Sequence, residues 1–254
     1  MTNITPDDLQ FFDREQDHSI VWKRLPHWTQ AGAITFITWR TADSMPKDVL
    51  SRWMRERDEF LRHNGLDPTG DWKQALSQLP PKVRGRIRWW LFNEWDRRLD
   101  GGAGECVLTD PEFSLIVMNS LQHFDGDRYL LTDAVVMPNH VHLLAAFRSE
   151  ELMLEQCRSW KHFTATAIHR RQRELARVPS AERRDYGSPV APPTGGSSLT
   201  TDSTYEPKEF WQVEQFDHLV RSQAQFDYLR KYIAENPARA NLADGMSRHY
   251  SKRL

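Results

Sequence analysis

Two histidines placed two residues apart are the part of this sequence best suited to metal chemistry. They are His140 and His142, within the segment Met-Pro-Asn-His-Val-His-Leu-Leu at residues 137–144. In a β-strand, residues two apart point to the same face, and their Cα atoms lie roughly 6.5–7 Å apart, so both imidazoles can reach one ion. A bare His-x-His pair is more often two partly exposed strand residues that hydrogen-bond to their neighbours. A further feature is therefore needed to favour the metal site.

A tyrosine-bearing segment supplies that feature. Tyr228, Tyr232 and Asn236 are spaced at i, i+4 and i+8, which places them along one face of a predicted helix. A tyrosine can act as a nucleophile on DNA because transfer of the phosphate to a phenol gives a phosphodiester of similar energy, so the cut is reversible. The pKa of a free phenol is about 10, so a nearby metal ion is needed to polarise the phosphate. The alternative is that both tyrosines simply pack against a sheet.

The composition fits a globular chain. Its 254 residues carry a formal net charge of −1, with 27% charged and 39% hydrophobic residues, which suits one domain with insertions. No stretch approaches the ~18 apolar residues of a membrane span. Cys106 and Cys157 have neither disulfide nor metal-site spacing. We therefore expect a cytoplasmic protein with no membrane partner.

Positive charge is concentrated in local blocks. Residues 82–98 contain six Lys and Arg against two acids, and residues 221–254 contain seven against three. Such blocks can bind phosphates even in a neutral chain, although each block alone is more simply a solvated helix face. Arg86 and Arg230 are the candidate phosphate contacts from these blocks. Three tryptophans in the first block offer rings that can stack on bases: Trp89, Trp90 and Trp95.

The pattern of the whole chain predicts an α+β fold. Runs of β-branched and aromatic residues predict strands at residues 33–41, 129–137, 140–147 and 209–216. Apolar spacing and capping residues predict helices at residues 47–63, 81–99, 112–124, 152–177 and 221–235. Residues 66–104, turn-rich and then basic, are interpreted as a helical insertion, and residues 178–207, rich in Pro, Gly, Ser and Thr, as a flexible linker. This order predicts a ferredoxin-like arrangement, with helices on one face of an antiparallel sheet.

The order of short motifs resembles one family. The chain is similar to the single-tyrosine HUH transposases, where HUH means histidine, hydrophobic residue, histidine, and most of all to the REP-associated tyrosine transposases. The segments that carry this resemblance run along nearly the whole chain: TFITWR, RYLLTDAVVMPNHVHLL, SWKHFTATAIHR, FWQVEQFDHLVR and YIAENPARANL.

The resemblance implies a fold and a reaction. It implies a single domain over residues 1–254, with the histidine pair on a central strand and the tyrosine on a helix beside it. It implies a metal-dependent endonuclease and strand transferase, a transposase, that acts on single-stranded DNA near hairpin repeats. The metal would be Mg²⁺ or Mn²⁺, and the intermediate a 5′-phosphotyrosine with a free 3′-hydroxyl. A nucleoid-associated monomer or homodimer would fit that role.

The resemblance also implies roles for particular residues. Tyr232, four residues before the Asn-Pro pair, matches the family's nucleophile better than Tyr228. Asn236 matches the position of a third metal ligand, and Glu235 competes with it because a carboxylate suits Mg²⁺ or Mn²⁺ better than an amide. Lys161 matches a basic position that contacts DNA phosphate.

Two alternatives remain open. The first is a domesticated DNA-hairpin-binding protein that keeps the fold with little catalysis. The second is a metallohydrolase in which the histidines activate water. The hydrolase requires a third strong ligand and a carboxylate base near the histidine pair.

Overall fold

The structure is a computed structural model that describes residues 4–13, 15–22, 26–177, 209–213 and 215–254. The predicted linker at residues 178–207 lies outside the described residues. The strands are β1 (Ser19–Trp22), β2 (Pro26–Thr29), β3 (Ile34–Arg40), β4 (Tyr129–Val136), β5 (His140–Phe147), β6 (Phe216–Leu219) and β7 (Arg248–Ser251). The helices are α1 (Lys47–His63), α2 (Trp72–Gln78), α3 (Pro81–Asp100), α4 (Pro111–Gln122), α5 (Glu150–Arg177) and α6 (Gln223–Arg239).

A five-stranded antiparallel sheet organises the fold. Its strands lie in the order β6-β3-β5-β4-β7, and β1 pairs with β2 in a separate hairpin. The chain runs β3-α4-β4-β5-α5-β6, which is the β-α-β-β-α-β order of a ferredoxin-like fold, and β7 extends the sheet beside β4. The predicted α+β class with an antiparallel sheet is confirmed.

Helices cover both faces of this sheet, whereas the sequence predicted them on one. On the first face, α4 and α5 pack over inward side chains such as Val141 and Leu143, and we call it the α4–α5 face. On the second, α6 and Phe92 of α3 pack over Phe36 and Leu144, and we call it the α6 face. Both faces are covered because strand alternation places apolar residues on each of them.

The helices α1, α2 and α3 form a helical unit with its own small core. Leu61, Leu66, Leu76 and Ile87 are buried together there. The helix α2 lies in a stretch predicted only as turn-rich, and the side chain of Asp71 caps it by accepting a hydrogen bond from the backbone N–H of Gln74. The helices within the predicted insertion at residues 66–104 therefore share a small core with α1.

Other boundaries also differ from the predictions. The strand predicted at residues 209–216 is displaced, since β6 begins at Phe216 and pairs with β3, while Trp211 makes an isolated bridge to Thr41. The helix α6 continues through Pro237 to Arg239, four residues beyond its predicted end. A proline so near the last turn removes only one backbone bond, so the helix tolerates it. No helix among the described residues is long and apolar enough to cross a membrane.

Candidate active site and metal centre

Strand alternation places His140 and His142 on the α6 face, at the centre of the sheet. Both side chains are fully buried, and their ring centroids are 4.7 Å apart. Nδ1 of His142 lies 2.7 Å from Oγ1 of Thr38 on the neighbouring strand, and Nδ1 of His140 lies 2.7 Å from Oδ1 of Asn139. An amide oxygen can only accept, so Nδ1 of His140 carries the proton and Nε2 keeps its lone pair. Partners at Nδ1 are what orient histidines for a metal at Nε2.

The Nε2 atoms of both histidines point at carboxylates of α3. Nε2 of His142 lies 3.3 Å from Oδ1 of Asp96, and Nε2 of His140 lies 3.7 Å from Oδ1 of Asp100. Neither Nε2 atom has a hydrogen-bond partner among the described residues, and neither does Oδ1 of Asp100. Ligand atoms of Asp96, His140 and His142 all lie within 4.8 Å of one another, so this buried group can hold a metal ion. Imidazole nitrogens with a carboxylate oxygen are a donor set that suits divalent ions.

Burial shifts the protonation of two groups here. Burial, together with the nearby negative charge of Asp96, raises the pKa of Asp100 to about 7. Burial, together with the neighbouring His142, lowers the pKa of His140 well below its ordinary value. A neutral imidazole and a partly protonated carboxyl are the forms expected when charge is confined without a cation.

Tyr232 lies on α6 against the same cluster. Its side chain is 2% exposed, its ring centroid is 5.4 Å from that of His142, and its hydroxyl has no hydrogen-bond partner among the described residues. The rings of Phe36 and Phe92 pack against it, with centroids 6.1 Å away in each case. The guanidinium of Arg239 lies 4.8 Å from its ring centroid. Tyr232 and the histidine pair, far apart in sequence, are therefore brought together.

The two candidates for a third ligand on α6 differ in placement. Asn236 is fully buried, and neither polar atom of its side chain has a hydrogen-bond partner among the described residues. Glu235 is exposed, and its carboxylate lies 3.7 Å from Nζ of Lys231. The solvent-facing position of Glu235 removes it from the cluster. Asn236 as a ligand stays a prediction.

Two of the three residues predicted to contact DNA have intramolecular partners. Nζ of Lys161 is buried and donates to the carbonyl oxygen of Val213 at 2.6 Å. Nε of Arg230 donates to both carboxylate oxygens of Asp133, at 2.9 and 3.1 Å. Arg86 is exposed on α3, as a phosphate contact requires. These placements give Lys161 and Arg230 structural roles that the sequence did not indicate.

The three tryptophans of α3 also differ in availability. Trp89 is 59% exposed. Trp90 stacks on Phe60 with centroids 3.7 Å apart, and Trp95 packs edge-on against Trp53 at 4.9 Å. Only Trp89 of these three presents an open ring to solvent.

Four residues at the site were missed by the sequence interpretation. Asp96 and Asp100 fell within the predicted insertion, although their i, i+4 spacing on a helix already placed both carboxylates on one face. The other two are arginines: Arg239 lies beside the ring of Tyr232, and Arg40 lies beside His140 on the neighbouring strand. Arg40 is paired with His140 in the strand register, its guanidinium lies 5.2 Å from the ring centroid of Trp95, and burial lowers its pKa to about 10. Both arginines lie in segments that carry the family resemblance, and Arg239 also lies in the basic block at residues 221–254, but the sequence analysis assigned neither of them a role.

Comparison with known proteins gives little beyond this geometry. No protein-family model and no curated protein sequence matches this chain. A solved structure of a REP-associated tyrosine transposase bound to a REP hairpin is similar over 84% of this chain and 72% of that one, with 10% sequence identity and a TM-score of 0.36. An identity and a TM-score this low do not establish an activity, so the function has to be argued from the site itself.

Proposed function

We propose that this chain is a metal-dependent endonuclease and strand transferase, a transposase, that acts on single-stranded DNA near hairpins through Tyr232. The observation that carries the proposal is the meeting of His140, His142 and Tyr232 in one buried cluster whose Nε2 and hydroxyl atoms lack hydrogen-bond partners. Buried polar groups are normally satisfied. Three unsatisfied groups side by side indicate that their partners are a metal ion and a substrate.

The residues of the chain suit a transfer to tyrosine. The hydroxyl oxygen of Tyr232 forms a bond to phosphorus as the bond from phosphorus to the 3′ oxygen breaks. The phenol proton is lost and the 3′ oxygen gains one, so the products are a 5′-phosphotyrosine and a free 3′-hydroxyl. A bound Mg²⁺ or Mn²⁺ ion, held by His140, His142 and Asp96, would supply Lewis-acid stabilisation of charge on the phosphate. Arg239, beside the tyrosine ring, supplies positive charge near the same point.

Single-stranded DNA is the substrate that fits this arrangement. The nucleophile is on a helix and the metal ligands are on a strand and another helix, so the scissile phosphate must enter between elements. A flexible single strand can do this more easily than a duplex. The exposed Arg86 and Trp89 on α3 provide a phosphate contact and a ring for base stacking outside the cluster.

A second candidate function gains support from α3. A metallohydrolase needs a third ligand and a carboxylate beside the histidines, and Asp96 and Asp100 occupy those places. In that reaction, water replaces Tyr232 as the nucleophile and the product carries a free 5′-phosphate. The hydrolase reaction gives the unsatisfied hydroxyl of Tyr232 no role, so we favour the tyrosine reaction.

The experiment that tests the proposal is covalent trapping. A 3′-labelled single strand that contains a hairpin from the repeats flanking the gene is incubated with the protein and Mn²⁺, then run on a denaturing gel. We expect a slow-migrating adduct, lost on chelation and absent for the matching duplex and for RNA. Tyr232→Phe should give no adduct and still bind DNA, and Tyr228→Phe, which changes a half-exposed ring one turn earlier, should behave as wild type.

Each alternative has its own outcome in this experiment. Cleavage by Tyr232→Phe with no adduct in either protein would establish the hydrolase. Hairpin binding without cleavage in any divalent metal would establish a binding protein. Loss of the adduct in Tyr228→Phe alone would move the nucleophile to Tyr228.

A further inference from the structure

We propose that Asp96 and Asp100 of α3 together complete the metal site, so that metal binding fastens the helical unit α1–α3 over Tyr232. The inference deepens the proposed function and rests on it for the purpose of the ion. Its direct consequence, binding of metal by two carboxylates of the helical unit, is measurable without DNA.

The first step of the argument is the pairing of the four side chains. Asp96 and Asp100 are one turn apart on α3, so their carboxylates lie on one helix face. Each faces a different histidine: the distances between Oδ1 and Nε2 are 3.3 Å for Asp96 with His142 and 3.7 Å for Asp100 with His140. The strand spacing of the histidines and the helical spacing of the carboxylates therefore match.

The second step is that the four side chains do not satisfy one another. Asp96 is buried, Asp100 is only 12% exposed in its side chain, and both histidines are fully buried. Oδ1 of Asp100 and both Nε2 atoms nevertheless make no hydrogen bond with any described residue. Two carboxylates confined together repel each other, and a divalent cation bound by them and by the two Nε2 atoms would satisfy all of these groups at once.

The third step concerns the helix that carries the carboxylates. Phe92, one turn before Asp96, belongs to the cluster on the α6 face and packs against Phe36 and Tyr232, while Ile87 of the same helix is buried in the core of α1–α3. The helix that supplies two ligands is thus also the one that covers the nucleophile. Tyr232 is 2% exposed, and Phe92 of α3 is one of the side chains that bury it.

The ligand set also indicates which ion is preferred. Mg²⁺ favours oxygen ligands and retained water, whereas imidazole nitrogens suit transition metals, and carboxylates also suit Mn²⁺. Two imidazoles with two carboxylates therefore favour Mn²⁺ over Mg²⁺. The histidines of β5 would set this preference, and the carboxylates of the helical unit are compatible with it.

The first measurement is calorimetric titration of the full chain with Mn²⁺ in the absence of DNA. Substitutions Asp96→Asn and Asp100→Asn keep the shape of each side chain. Each should weaken Mn²⁺ affinity by at least about 10-fold, since even groups outside the ligand shell contribute about 10–100-fold. Glu59→Gln, an exposed carboxylate on α1 of the same unit, is the control and should bind as wild type. Wild-type affinity in both aspartate variants would overturn the proposal.

The second measurement needs no variant and so does not depend on their folding. Hydrogen exchange of the wild-type chain is compared with and without Mn²⁺, and we expect the amides of α1 and α3 to become slower. Unchanged exchange in α1 and α3 together with slowing confined to β5 and α6 would overturn the proposal, and would indicate Asn236 as the third ligand. Failure of the proposed function looks different: Mn²⁺ would bind and slow α3, with no covalent DNA adduct.

Discussion

The two faces of the sheet are buried to the same degree, but their polar groups are satisfied to different degrees. On the α4–α5 face, Nε1 of Trp160 donates to the carbonyl oxygen of Ser120 at 3.1 Å. The hydroxyl of Tyr129 donates to the carbonyl oxygen of Leu121 at 2.7 Å. Nε1 of Trp211 donates to Oγ1 of Thr164 at 2.9 Å. This face is arranged as a stable core, with Nε1 of Trp39 as an exception that lacks a partner.

The α6 face carries histidines, a tyrosine and an asparagine at equal depth, and much of their hydrogen-bonding capacity is unused. Unsatisfied atoms there belong to His140, His142, Tyr232 and Asn236. An unsatisfied buried polar group costs about 1–3 kcal/mol, so one face of the sheet is kept at a cost in stability. The satisfied groups of the α4–α5 face stabilise the sheet, whereas the unsatisfied groups of the α6 face are those that take part in the proposed reaction.

The largest expected effect comes from breaking the satisfied face. Trp160→Ala removes a fully buried ring that stacks on Trp39 with centroids 5.7 Å apart. We expect the free energy of unfolding to fall by about 3–5 kcal/mol, measured by urea unfolding. The amount of DNA adduct per folded molecule should not change, because Trp160 does not contact the α6 face cluster. A selective loss of adduct without loss of stability would break the division between the faces.

Arg230 tests whether a basic residue on α6 supports structure or binds DNA. Arg230→Ala removes the Nε donor that both carboxylate oxygens of Asp133, 2% exposed, share, and it also removes a bond to Oγ of Ser251. We expect a loss of about 3 kcal/mol in unfolding free energy, the lower end for an unpaired buried charge, because Arg230 is itself partly exposed. The adjacent Lys231→Ala, which removes a surface pair with Glu235, should change stability by less than about 1 kcal/mol. Unaltered stability with strongly weakened DNA binding would restore the phosphate contact.

Much of the fold could be predicted from the sequence because its elements have strong local signals. Residues 140–147 form the predicted strand. The helix predicted at residues 112–124 is α4, and the side chain of Asp110 caps it by accepting a hydrogen bond from the backbone N–H of Glu112. The short strands β1, β2 and β7 were not predicted, because four-residue strands depend on the neighbour that they pair with. The placement of β6 was displaced for the same reason.

The candidate site could be predicted only in part. His140 and His142 stand out by spacing, Tyr232 was chosen over Tyr228 by the family resemblance, and the structure brings these three residues together. Asp96 and Asp100 were overlooked because a basic, tryptophan-rich helix gives no indication of which sheet face it will meet. Helical periodicity shows only which residues share a helix face. The packing of α3 against the α6 face is a tertiary contact made through Phe92.

Two tyrosines, one packed on each face of the sheet, differ in whether their hydroxyl has a hydrogen-bond partner. Tyr129→Phe removes a satisfied hydroxyl that donates to Leu121 and accepts from Nε1 of Trp160, and it should cost about 1–1.5 kcal/mol in unfolding free energy. Tyr232→Phe removes an unsatisfied one, so in metal-free buffer it should be neutral or stabilising. Urea unfolding of both variants with chelator present measures the difference. Equal destabilisation would mean that the hydroxyl of Tyr232 has a partner in the folded chain.

The smallest expected effect concerns Arg86, which lies outside both faces. Its side chain is exposed on α3, so Arg86→Ala should leave unfolding unchanged, as surface substitutions do within about 0.5 kcal/mol. If its guanidinium contacts one phosphate, the slope of log affinity against log salt concentration should become shallower by about 0.7, the value for one phosphate of a single strand. Fluorescence anisotropy of a labelled hairpin-containing single strand, titrated at several salt concentrations, measures that slope. Arg177→Ala, also exposed but on α5 at the opposite face of the sheet, is the matched control and should leave the slope as it is. Equal slopes for wild type and Arg86→Ala would show that Arg86 contacts no phosphate of the bound strand.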